Sequence, residues 1–145
     1  MQETIFFSVA LLAGVAWLVA SLINYRDARD SEQWPEHEAE VLHSRVEKGR
    51  RSHYSPVVRY RYAHLGVSHE GTRLWFSSFS LTSRERVEQF LAPLSRGARI
   101  TVRVNPRDPR CSVVVPGVNR AVKRDVFIGA YLILIGVGGL LRWWR

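Results

Sequence analysis

Two uninterrupted apolar stretches lie near the two ends of the 145-residue chain, and all of its charge falls between or outside them. Ile5 to Ile23 is a run of 19 residues without a charge, and Val126 to Leu141 is a run of 16. A helix rises about 1.5 Å per residue, so roughly 20 apolar residues cross a bilayer core. The first stretch meets that length. The second is shorter, but Trp143 and Trp144 follow it in a basic tail and suit an interfacial anchor. The expected architecture is an integral membrane chain in which two helical spans bracket one small antiparallel β domain. The first span covers residues 1–25, the β domain 34–118, and the second span with its aromatic tail 124–145.

A cleaved signal peptide fits the first stretch less well. Met1 to Thr4 carries no Lys or Arg and includes Glu3, and the apolar run exceeds the usual core of a signal peptide. A retained helix is expected. Ala10 and Gly14, then Ala16 and Ala20, recur four apart, a spacing that lets helices approach closely. Packing of the two spans and self-association both account for it.

The chain holds 21 Lys/Arg and 13 Asp/Glu, a formal net charge of +8. Basic residues beside a span are retained in the cytoplasm. Arg26 and Arg29 follow the first span, and Arg120, Lys123 and Arg124 precede the second. Only Arg142 and Arg145 flank the outer ends. This asymmetry favours a multi-pass protein of the inner (plasma) membrane with its β domain in the cytoplasm. The lone Cys111 allows no intrachain disulfide and no multi-thiolate zinc site. It is expected to be a small buried residue.

Between the spans the pattern changes to short alternating runs. Trp34-Pro35 ends the first helix, because proline disfavours helix in the residue before it. Glu38 to Glu47 alternates, with Ala39, Val41 and His43 on one face. Pro56 to His64 is the clearest strand, with Val58, Tyr60 and Tyr62 inward and Val57, Arg59, Arg61 and Ala63 outward. Leu65-Gly66 turns into a third strand, Val67 to Phe76, in which Gly71 suggests a bulge. Val87, Phe90, Leu91 and Leu94 form a helical stripe, with Thr82 and Glu85 as a capping box. Arg99 to Val104 and Cys111 to Val115 complete five strands around a proline-fixed loop. One helix between strands three and four is the element order of an OB-like barrel. An open sheet covered by the helix fits equally.

Several segments carry a family resemblance: Trp34-Pro35, Tyr54 to Tyr62, Gly97 to Val102, and Val104-Asn105-Pro106-Arg107-Asp108-Pro109. Together with the flanking spans they resemble the bacterial two-span membrane family catalogued as domain of unknown function 3592. Val104 stands where many members carry tyrosine, and the first loop is unusually basic. The resemblance implies a membrane setting and a fold, and no activity.

No catalytic set stands out. Nucleophile-elbow, phosphate-loop and dinucleotide motifs are absent from the sequence. His64 and His69 could face each other across a hairpin beside Glu70, but no metal site and no cofactor are expected. The basic loops are the better lead. Lys48, Arg50 and Arg51 sit between strands one and two, and Arg107 and Arg110 between strands four and five. In an OB-like barrel these loops would flank one ligand face, with Tyr60, Tyr62 or Trp75 as stacking surfaces. Trp75, Phe76 and Phe79 form a second candidate, a protein-docking patch. The competing reading is that the arginines solvate a small domain and the aromatics fill its core. The chain is thus expected to be a non-enzymatic, membrane-anchored binding or scaffolding module. Its expected partners are the bilayer and a protein or a second copy, with nucleic acid disfavoured but left open. The alternatives are an immunity or inhibitor protein against a toxin, and polyanion binding by the basic loops.

Overall fold

The chain divides into a helical unit, Met1–Asp27 with Val118–Arg145, and a β unit, Ala28–Gly117. The computed structural model of the chain describes residues 2–77 and 81–143, the side chains of residues 2–4, 51 and 143 excepted.

The helical unit contains α1 (Gln2–Asp30), which runs a few residues beyond the unit, and α3 (Arg120–Trp143). Both are long and apolar enough to cross a membrane. The charged first turns of α3 extend the 16-residue apolar run to a helix of 24 residues. The two helices pack through glycine. A Cβ on Gly14 would meet the Ile133 backbone at 2.9 Å, and one on Gly136 would meet Leu11 at 2.8 Å. Gly129 lies as close to Leu18. Small residues therefore let the backbones approach within one chain. The outward faces keep large apolar side chains exposed, among them Leu12 at 70%, Phe127 at 74% and Leu134 at 69%.

The β unit is a five-stranded antiparallel sheet: β1 (Glu36–Lys48), β2 (Tyr54–His64), β3 (Val67–Gly71), β4 (Arg99–Val104) and β5 (Ser112–Val113). Their spatial order is β3-β2-β1-β4-β5. The sheet is open, so the closed-barrel alternative does not hold. The edge strands, β3 of five residues and β5 of two, share no ladder. Two backbone bonds join the chain beyond those edges: Val114 N–H to the Arg73 carbonyl (3.3 Å) and Val115 N–H to that of Leu74 (2.7 Å). The β2–β3 turn has positive φ at both Leu65 and Gly66, as the right-handed twist of a tight hairpin demands.

β1 departs from simple alternation. Val41 pairs with Tyr60 and His43 with Arg59, leaving Leu42 as a bulge. His43 is therefore on the outer face, opposite to the expectation, and Val46 packs against the core. Gly71 is no bulge. It pairs regularly with Tyr60, and a Cβ there would fall 2.5 Å from the Tyr60 ring and 2.6 Å from Ser112 Oγ. Close approach, not backbone geometry, requires the glycine.

α2 (Arg84–Leu91) covers the inner face. Ser83 occupies the N-cap without a side-chain bond, so the Thr82–Glu85 capping box does not form. Val87, Leu91 and Leu94 are buried beneath it with Val41, Val58, Tyr60, Tyr62, Val102 and Val104. Burying this many apolar side chains is the main stabilising term of the unit. Its first and last segments are strapped together by buried Ser31. The Ser31 hydroxyl donates to the Ala28 carbonyl (2.6 Å) and accepts from the Gly117 N–H (3.0 Å).

Candidate functional site

The two basic loops do not converge. Lys48 and Arg50 lie at the far end of β1, whereas β4 runs antiparallel to the start of β1, with Arg103 opposite Glu36. The loop holding Arg107 and Arg110 therefore lies at the opposite end of a 13-residue strand. At about 3.3 Å per residue the strand alone sets these ends roughly 40 Å apart. The shared ligand face expected of the loops is not formed. The Arg51 side chain lies outside the described residues. Asx turns hold the second loop: the Arg107 N–H donates to Asn105 Oδ1 (2.9 Å) and the Arg110 N–H to Asp108 Oδ1 (3.2 Å).

The aromatic docking patch is not a surface either. Phe76 is 3% exposed, edge-on to Trp34 at 5.8 Å with the Arg73 guanidinium over its ring. Trp75 is half-buried and packs edge-on to Phe90 at 5.0 Å, sealing α2 to the sheet. Phe79 lies outside the described residues. Tyr60 and Tyr62 are core residues, unavailable for stacking. The Tyr60 hydroxyl donates to the Arg73 carbonyl (2.9 Å) and lies 3.0 Å from Ser112 Oγ. Burial pushes its phenol up to about 12, with the Ser112 hydrogen bond opposing. The Tyr62 hydroxyl donates to the Pro109 carbonyl (2.6 Å), and burial raises that phenol as well. Cys111 is partly exposed, not buried, with Sγ 3.4 Å from the Arg73 guanidinium.

The histidines separate. His64 Nδ1 is 3.0 Å from His37 Nε2, while His69 stacks on Tyr62 at 5.7 Å. Among the described residues no three His, Cys, Asp or Glu side chains gather as a metal site would need. Of the membrane-flanking residues, Arg26, Arg29, Lys123 and Arg124 are exposed on their helices. The Trp143 side chain and Trp144 lie outside the described residues.

The sheet's outer face holds a different basic feature. A groove of about 670 Å³ opens at the bulge, its lining including Leu42, His43, Arg45, Val57, Arg59, Arg61 and Arg96 as well as Glu40 and Glu70. Arg59 and Arg61 are outward because Val58, Tyr60 and Tyr62 point inward. The bulge turns His43 and Arg45 to the same side. Arg96 arrives from the turn before β4, fixed by Gly97 in a left-handed conformation (φ 83°). The Gly97 N–H donates to the Val41 carbonyl (2.8 Å), and the Val41 N–H to that of Ala98 (2.9 Å). Arg61 is paired with Glu70 at 3.1 Å, and Arg45 lies 4.0 Å from Glu47. Among the described residues, neither the Arg59 nor the Arg96 side chain has a hydrogen-bond or ion-pair partner. Sequence alternation already turned Arg59 and Arg61 outward. The Leu42 bulge and the distant Arg96 had no local signal.

A family model described as a domain of unknown function (DUF3592) matches residues 37–119, and the chain belongs to that family. No curated protein and no solved structure matches the chain.

Proposed function

We propose that this member of the family is a membrane-anchored, non-enzymatic binding module that holds its β unit at the membrane surface and recruits a partner through the outer face of the sheet. The observation that carries the reading is the coat of large apolar side chains left exposed on α1 and α3, such as Leu12, Phe127 and Leu134. Apolar area costs roughly 25 cal/mol per Å² in water, and a patch spread along two helices calls for hydrocarbon around it. At about 1.5 Å per residue, helices of 29 and 24 residues exceed a core of roughly 30 Å. Arg26, Arg29, Arg120, Lys123 and Arg124 favour a cytoplasmic β unit in the inner membrane. Two anchors suit a local encounter better than a diffusible catalyst, and the groove supplies a binding face.

Alkaline carbonate extraction and cysteine labelling test this. In a Cys111→Ser background the chain should stay in the membrane pellet. Arg50→Cys should react with an impermeant maleimide only after lysis, and Gln2→Cys in intact cells. Release into the carbonate supernatant would contradict anchoring. Labelling of position 50 in intact cells would reverse the orientation. Turnover of a substrate by purified protein, lost on substituting one groove arginine, would contradict a non-enzymatic role.

A further inference from the structure

The β unit, Ala28–Gly117, carries 15 Lys/Arg against 10 Asp/Glu, all but Lys48 of the cations being arginine, and four of them line the groove. All four fixed positive charges in it are arginine: Arg45, Arg59, Arg61 and Arg96. A guanidinium offers a planar fork of donors that matches a carboxylate or phosphate bidentately. Arg59 and Arg96 hold that fork without a partner among the described residues. Both are exposed, and their forks are open to an anion brought by a ligand.

Three features of the lining narrow the ligand. Among the described residues that line it there is no Phe, Tyr or Trp, so they offer nucleobases no aromatic platform on which to stack. Leu42 and Val57 offer apolar contact between the charges. The volume of about 670 Å³ lies within the range of ligand sites. Spaced arginines beside the apolar Leu42 and Val57 complement a chain whose carboxylates are interleaved with apolar residues.

We infer that the groove binds an acidic peptide segment of a partner protein, its carboxylates on Arg59 and Arg96 and an apolar side chain over Leu42 and Val57. Arg61 is paired with Glu70 and makes no bond of its own to the ligand. The inference rests on the reading of the chain as a binding module and gives that module its ligand chemistry.

The test uses the full chain in nanodiscs of zwitterionic lipid, so that anchoring is already satisfied and lipid charge is removed. A fluorescein-labelled twelve-residue peptide of alternating Glu and Leu is titrated by anisotropy beside a labelled single-stranded oligonucleotide of equal length. The peptide should bind and the oligonucleotide should bind less tightly. Arg59→Gln with Arg96→Gln should weaken the peptide by about tenfold or more. Arg107→Gln with Arg110→Gln should leave it within about twofold, because the rim of a distant loop contributes little. Each variant's far-UV circular dichroism and melting temperature should match those of the parent. If the double groove variant misfolds, single Arg59→Lys decides, since it keeps the charge and loses the fork. No peptide binding, tighter oligonucleotide binding, or unchanged affinity in the groove variants would each overturn the inference. A failure here concerns the groove's ligand alone, since anchoring is read separately by carbonate extraction.

Discussion

Arg59 stands opposite His43 across the β1–β2 ladder, one step beyond the unpaired Leu42. That relationship puts both side chains on the outer face and opens the groove beside them. Were Leu42 paired in a regular ladder, alternation from Val41 would send position 43 into the core.

Deleting Leu42 tests the bulge. Val41 would still face inward and His43 outward, so no β1 side chain changes face and the sheet should still form. What is lost is the local bend that a bulge imposes. The expected result is a far-UV spectrum like the parent's, with acidic-peptide affinity reduced several-fold. Equal affinity would show that the bulge does not shape the site.

Tyr60 links the core to both sheet edges through the Arg73 carbonyl and Ser112. Tyr60→Phe should cost about 1–2 kcal/mol by urea titration, because buried acceptors lose their donor. Combining it with Ser112→Ala should cost less than the two single changes summed. The phenol is raised from 10.0 to about 12, so the folded state favours its protonated form. Its contribution to stability is complete below pH 10 and is lost as pH rises towards about 12. Stability measured across that window should fall in the parent and lack this component in Tyr60→Phe.

Gly71→Ala places a methyl against the Tyr60 ring and Ser112 Oγ at 2.5 and 2.6 Å. Such overpacking typically costs about 1–3 kcal/mol, and a loss in that range is expected in chemical denaturation. Ser112→Ala in the same chain should recover part of it. A neutral Gly71→Ala would contradict the close approach.

The α1–α3 contact is read by two glycines of one helix. Alanine favours helix over glycine by about 1 kcal/mol, so Gly138→Ala, which meets nothing within 4 Å, should be neutral or stabilising. Gly136→Ala, with its Cβ 2.8 Å from Leu11, should lower the melting temperature in detergent. Equal effects at both positions would mean that the helices do not pack through this face.

Much of the fold was legible locally. Val58, Tyr60 and Tyr62 alternate with Arg59 and Arg61, and the strand they predict is present with the predicted faces. Val87, Leu91 and Leu94 mark the covering helix and its buried side. The helix start was misplaced because Thr82 and Glu85 match a capping pattern while Ser83 takes the N-cap. The site was harder to read, since its position depends on pairing between distant segments. The Lys48 and Arg107 loops are both basic, but only the β1–β4 register reveals that they lie at opposite ends of β1. Arg96 joins Arg59 through the Gly97–Val41 bond, a contact between residues far apart in sequence. Phe76 and Trp75 look alike as an aromatic run, and only packing against Trp34 and Phe90 makes them core.

Arginine footprinting with phenylglyoxal, read by mass spectrometry on the full chain in nanodiscs, tests the assigned binding face most directly. Adding the acidic Glu–Leu peptide should slow modification of Arg59 and Arg96 and leave Arg50, Arg107 and Arg110 unchanged. Protection of the loop arginines instead, or no protection at Arg59 and Arg96 at saturating peptide, would contradict the account.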